Sequence, residues 1–429
     1  MPTDSSPVLR DRLQPIIAAN WPAQIEWLRE LARFPSLRGN EGPCQDWLAG
    51  EFAKRDWSVD RFTLDEVQIA ALPGYSPAVE VDYSKAVQVV ATVPSGERRG
   101  RSLILQGHID VVPTGPRELW AHEPFEPQVE GNHMSGRGVG DMKVGVAEIV
   151  FALDALRQAG LRPTAEIFVE TVSEEEVTGN GALATLARGY LADACLIPEA
   201  MGNQLLRAQL GSIWFRLRLV GRSAHILETQ LGTSAILGMY DYITAMQALA
   251  ARSSATAADS EWFAHLDSPV KFSVGKIKGG DWIGMVPNWC EVDCRIGILP
   301  GQDLTEMRQS ILDTIADCAR RQGNAAPPEV SWIGFQADAY VLEPGSDAEA
   351  ALAAAHETVF GEKLETFSLP ATSDVRQYGV YYGIPALCYG SKSSGSHSSD
   401  ERADLVSMRD TTLTLALFIA NWCGVEAIP

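Results

Sequence analysis

No apolar run in this 429-residue chain is long enough to cross a bilayer, so no membrane partner is expected. Positive charge is scarce. Against 55 Asp and Glu stand 35 Lys and Arg, a formal net charge of −20, which argues against nucleic acid as the main partner. The imbalance leaves a small substrate open, because local field rather than net charge guides such a ligand. The seven cysteines, Cys44, Cys195, Cys290, Cys294, Cys318, Cys388 and Cys423, are odd in number, irregular in spacing and without a CxxC pair. They predict buried reduced thiols rather than a disulfide framework. The start, MPTDSSPVLRDRL, lacks the apolar core of a signal peptide, and a cytoplasmic location is expected. Internal repeats are absent.

The rest of the composition is ordinary for a soluble globular protein, with 46% hydrophobic and 21% charged residues. The length suggests two or three domains. Periodicity predicts helices over about 8–31, 43–54 and 144–159, the last with Val146, Ile149, Val150, Leu153 and Leu156 at helical spacing and Gly160 as its stop. Strands are predicted over 88–93, 102–106, 167–172 and 194–197. Alternation of strand and helix gives an α/β layer fold, a mixed-sheet domain with helices on both faces. Near residue 210 the pattern changes to strand (212–220), helix (233–250), strands (271–277 and 289–297), a helix opened by Asp303 and Glu306 and closed by Gly323, and a strand (330–335). That is the split βαββαβ order of a ferredoxin-like unit. The expected domains are therefore a discontinuous one, 1–209 and 338–429, and an insert, 210–337.

Several segments carry chemistry. The apolar run Leu103-Ile104-Leu105 leads into Gln106-Gly107-His108-Ile109-Asp110, and period-two geometry places His108 and Asp110 on one side if the strand continues. A carboxylate there can fix the imidazole tautomer that binds metal, although a strand-end His held by a local hydrogen bond reads equally well. The glycines of Gly136-Arg137-Gly138-Val139-Gly140-Asp141 permit an unusual backbone path and could cradle a phosphate, but Asp141 would repel one. Ser173-Glu174-Glu175-Glu176 and Pro198-Glu199 each follow a core strand. Strand C-termini form the ligand crevice of open α/β sheets, and His108, Glu175, Glu176 and Glu199 all fall at such ends. His397, in Ser396-His397-Ser398-Ser399-Asp400-Glu401, reads by itself as an exposed loop histidine.

Taken in order, these segments resemble the M20 family of metallopeptidases and amidohydrolases, in its acetylornithine deacetylase and succinyl-diaminopimelate desuccinylase branch. The motifs are Gly107-His108-Ile109-Asp110-Val111-Val112-Pro113, Trp120 with Pro124-Phe125, Gly136-Arg137-Gly138 with Asp141-Met142-Lys143, Glu174-Glu175-Glu176 with Gly179, Glu199, and His397. The resemblance implies two divalent cations, zinc first, with cobalt or manganese as substitutes. His108 and Glu199 would hold one, Glu176 and His397 the other, and Asp141 both. Asp110 would support His108, and Glu175 would be the general base. A cis peptide is implied at Asp141–Met142. The insert would be a lid and dimerisation domain. Its Gly221-Arg222-Ser223-Ala224-His225 resembles the motif whose histidine reaches the partner subunit's site in a homodimer, although a simple turn histidine also fits. Arg295 resembles a strand arginine that clamps a substrate carboxylate. Ala371-Thr372-Ser373-Asp374-Val375-Arg376 resembles a pocket-flanking loop, which makes Thr372, Ser373 and Arg376 candidate substrate contacts; Asp374 and Arg376 also read as a structural ion pair. Two departures stand out: Glu174 where Asp is usual, and Val144 where Gly is common.

The implied activity is hydrolysis of the amide of a small carboxylate-bearing N-acyl amino acid. Dipeptidase or carboxypeptidase action, hydrolysis of a carbamoyl or aromatic-amine C–N bond, and an inactive binding protein on the same scaffold are the alternatives.

Overall fold

The computed structural model describes residues 6–323 and 326–428. Its central sheet has six strands in the order Ser58–Thr63, Val87–Val93, Ile167–Val172, Leu103–His108, Ala194–Ile197 and Ala386–Cys388. The last four run parallel, and Val87–Val93 pairs antiparallel with Ile167–Val172. Parallel strands are buried on both faces, which is why they read as continuous apolar runs. Successive residues of Ile167–Val172 show both layers. The Thr171 hydroxyl donates to Gln45 on the helix Gly42–Ala53, while Glu170 accepts from Tyr378 on Val375–Tyr382 and Thr185 on Asn180–Ala187. The first layer also holds Ser6–Ala32, Val144–Gln158 and Leu405–Cys423, packed on one another. Trp27 and Trp47 join two of its helices at 5.0 Å between ring centroids.

The chain leaves this body after the strand Leu205–Gln209 and returns at Tyr340–Val341, which pairs with it antiparallel. In between lies a four-stranded antiparallel sheet, ordered Phe272–Gly279, Trp289–Ile298, Gly211–Val220 and Glu329–Ala337. One face packs Ile213, Phe215, Leu217, Val292 and Ile296 against helices Ala235–Thr256 and Leu304–Gln322, forming a second hydrophobic core. Asp303 caps the latter helix by accepting from the amides of Thr305 and Glu306. The opposite face carries the alternate residues Trp214, Arg216, Asp293 and Arg295. Trp214, Arg216 and Asp293 roof a cleft of about 480 Å³ whose floor includes Asp110 and Glu176.

All seven cysteines are buried and unpaired. Among the described residues no helix is long and apolar enough to cross a membrane. The strands Ser58–Thr63 and Ala386–Cys388, at the two edges of the main sheet, have no counterpart in the periodicity analysis: one is largely polar and the other is three residues long.

Candidate active site

The parallel strands deliver their side chains to one end of the sheet. His108 is the last residue of its strand, Glu175 and Glu176 follow Val172, and Glu199 follows Ile197. Asp141 arrives from the turn before helix Val144–Gln158, and its peptide with Met142 is cis. His397 arrives from the loop between Ser393–Ser394 and Arg402–Asp404.

These residues form two triads that share one carboxylate. In the first, His108 Nε2 lies 3.2 Å from Asp141 Oδ1 and 3.4 Å from Glu199 Oε1. In the second, His397 Nε2 lies 3.2 Å from Asp141 Oδ2 and 3.1 Å from Glu176 Oε2. Within each triad all donor atoms lie within 4.8 Å of one another, close enough for one cation. The donors are imidazole nitrogen and carboxylate oxygen without thiolate, a set that suits zinc, cobalt or manganese. Electrostatics fits cations as well. Burial raises the pKa of Glu176 and Glu199, and a cation in each triad would offset the mutual repulsion of these acids. Asp141 is pushed up by burial but held below its usual range by hydrogen bonds from both histidines. The Asp141 and Glu176 carboxylates in turn hold His397 up to about 11.

Glu175 stands beside both triads, with Oε2 3.8 Å from His108 Nε2. Burial raises its pKa well above the ordinary value, and the charge of His108 opposes the shift. Asp110 contacts the His108 ring and also holds the neighbouring main chain. Its closest contact with the imidazole is through the main chain, His108 Nδ1 to Asp110 carbonyl at 3.0 Å, while its carboxylate lies 3.6 Å away. That carboxylate also accepts the amides of Glu175 and Glu176 at 3.3 and 3.1 Å. The buried Glu174 pairs away from the triads with Arg38 and Tyr83, both part-buried, and with Thr178.

The pocket over the triads, of about 320 Å³, is completed by Ala200, Met201, Leu369, Ala371, Thr372 and Ser373. Gln209 fixes the Ser373 amide and hydroxyl. Arg376 does not reach this pocket. It is fully buried, donates to the carbonyls of Ser373 and Thr178, and lies over the Phe335 ring. Arg295, half-buried on the inner face of the inserted sheet, has no hydrogen-bond or ionic partner among the described residues, and burial lowers its pKa. His225 is exposed on the insert, caps a short turn through Leu227 N, and does not line the pocket.

One participant was missed in the sequence. The amides of Gly138, Gly140 and Asp141, which could have cradled a phosphate, all donate to the carboxylate of Glu401, which also accepts from Arg137. The glycine loop is thus an anion cradle whose anion belongs to the chain itself. The only sequence hint was the position of Glu401, four residues after His397.

This constellation on a mixed α/β sheet with an inserted antiparallel domain belongs to a known class. Residues 104–421 match peptidase family M20/M25/M40, and the chain is a member of that family of amide-bond hydrolases. Among its relatives, N-formyl-4-amino-5-aminomethyl-2-methylpyrimidine deformylase of Halalkalibacterium halodurans is 27% identical, covering 76% of this chain and 80% of that one. Succinyl-diaminopimelate desuccinylase of Methylobacterium sp. is 28% identical, covering 92% and 94%. The fold is shared with the dipeptidase Dug1p of Saccharomyces cerevisiae, at TM-score 0.80 and 13% identity over 96% of this chain and 98% of that one.

Proposed function

We propose that the chain is a two-cation amidohydrolase that cleaves the amide of a small carboxylate-bearing N-acyl amino acid. The observation that carries this reading is the pair of triads sharing Asp141, with Glu175 alongside. His108, Asp141 and Glu199 would hold one divalent cation, and Asp141, Glu176 and His397 the other, with zinc favoured and cobalt or manganese as substitutes. Such a pair supplies Lewis acidity to water and to the scissile carbonyl. Glu175 takes the proton of the attacking water and returns it to the leaving nitrogen, a role suited to a carboxyl whose proton affinity burial has raised. Asp110 fixes the main chain from which Glu175 projects.

The unpartnered guanidinium of Arg295 is the group for the substrate carboxylate. Thr372 and Ser373 flank the bond, and Arg376 acts on the substrate only through the loop it braces. Ala200, Met201, Leu369 and Ala371 give the pocket apolar walls suited to a short acyl group. The lid spans about residues 210–337. Its exposed Ile226, Leu227, Leu231, Trp282 and Ile283 cluster around His225, which bridges to Met285, and support a homodimer through this surface. There His225 would meet the partner's site and stabilise the developing oxyanion.

Similarity to the deformylases favours a second reading, removal of a formyl group from an amine that has no carboxylate. A panel of N-acetyl, N-succinyl, N-formyl, dipeptide and carbamoyl substrates separates these. Turnover of N-acyl amino acids that Arg295→Ala depresses supports the first reading. Turnover confined to N-formyl amines and indifferent to Arg295 replaces it with the second. A chain inactive on every member, with both cations bound, would overturn the assignment.

A further inference from the structure

We infer that Glu401 is a positioning residue that orients Asp141 so that its two oxygens serve two cations at once; the inference rests on the two-cation reading. Glu401 is fully buried. Its Oε1 accepts from the amides of Gly140 and Asp141 at 2.8 and 2.9 Å, and its Oε2 from Arg137 Nη1 and the Gly138 amide at 2.6 and 3.2 Å. The Gly136 amide reaches the Glu401 carbonyl at 3.0 Å. Each carboxylate oxygen thus holds two donors, and the bond from Arg137 is charge-assisted.

Two further facts make this more than a fold contact. First, Glu401 and His397 are on the same loop, so the carboxylate ties the segment carrying the shared Asp141 to the loop carrying a ligand of one triad. Second, the two segments already touch. A Cβ on Gly140 would lie 2.9 Å from the Ser393 Cβ and 3.2 Å from the Arg402 carbonyl, so little slack separates them. Asp141 bridges only if Oδ1 faces His108 while Oδ2 faces His397, each at 3.2 Å. That orientation follows from the Asp141 main chain, whose N–H Glu401 holds. If the segment turns, Asp141 stays with one triad, and the triad of His397, whose ring is exposed, loses its third ligand.

The test is Co2+ binding to metal-free full-length wild type and Glu401→Gln, with uptake followed by equilibrium dialysis and spin coupling by electron paramagnetic resonance. Gln keeps the shape but replaces one acceptor oxygen by an NH2 that faces N–H groups. Wild type is expected to bind about two Co2+ per chain as a coupled pair. The variant should keep the first affinity, bind the second ion roughly 10–100-fold more weakly and lose the coupling signal. If it binds both ions unchanged with coupling intact, even at a lower Tm, Glu401 is only a structural contact and the inference falls. If wild type takes up fewer than two ions, the two-cation reading falls with it, which keeps the two failures apart. Should Glu401→Gln not fold, Glu401→Asp keeps the charge but shortens the side chain by one methylene and so withdraws the carboxylate from its four donors. Loss of coupling there supports the inference, and unchanged coupling overturns it.

Discussion

Glu175 and the triad residues around it are all acids or imidazoles, and their separation into roles rests on position. Glu175 belongs to neither triad, so its removal should spare the cations. Glu175→Gln is expected to bind metal like wild type, by elemental analysis, while kcat falls by roughly 10²–10⁴-fold, the usual scale of general acid–base catalysis. Retained turnover would remove it from the base role. A second acid makes a prediction about stability rather than catalysis. Glu41 is buried, with one oxygen on the Gly39 amide and the other without a hydrogen-bond partner among the described residues, and burial, with the nearby Asp110 charge, raises its pKa from 4.5 to about 8. The folded chain holds this proton where the unfolded chain has released it. Its contribution is therefore complete below about pH 4.5 and declines up to about pH 8, by at most about 1.4 kcal/mol per pH unit. Glu41→Gln should flatten that part of the stability profile in urea unfolding; an unchanged slope would show that Glu41 ionises normally.

At the scale of elements, the site depends on how closely a helix approaches a strand end. A Cβ on Gly145, at the start of helix Val144–Gln158, would lie 2.1 Å from the Pro198 carbonyl, immediately before Glu199. Gly145→Ala is expected to displace that turn and weaken the cation of the His108 triad, leaving the His397 triad less affected. Metal titration resolves the two, and equal weakening of both would show a general loosening instead. The elements themselves were largely legible. The parallel strands Ile167–Val172, Leu103–His108 and Ala194–Ile197 and the helix Val144–Gln158 stand within a few residues of the spans that periodicity predicts, because burial on both faces and a regular apolar stripe leave direct marks on the sequence. The strands Ser58–Thr63, Leu205–Gln209, Thr366–Leu369 and Ala386–Cys388 have no counterpart among those spans. They are short, part polar or set by neighbours distant in sequence, and nothing local marks them.

At the scale of the whole molecule, His225 is exposed and stands apart from the pocket over the triads of its own chain. Exposed apolar residues around it, among them Leu227 at 82% and Ile283 at 96% relative exposure, form a surface suited to a second copy. If His225 acts across that surface, mixing the inactive variants His225→Ala and Glu175→Gln should restore about a quarter of wild-type kcat, since half the dimers are mixed and each has one complete site. No recovery after subunit exchange would place the histidine in its own chain's chemistry or outside it. Leu227→Glu is expected to give monomers in sedimentation.

The sequence by itself determined the residue types of the site and their order. Carboxylates and imidazoles carry donor atoms that apolar side chains lack, so His108, Asp141, Glu176, Glu199 and His397, and Glu175 beside them, stand out wherever the chain puts them. Tertiary structure decided what those residues do to one another. It made Asp141 the carboxylate shared by two triads, set the Asp110 side chain between the imidazole and two amides, withdrew Arg376 into the core and filled the glycine cradle with Glu401. Each of these is a contact between segments far apart in the chain, set by packing geometry, and no local pattern encodes it.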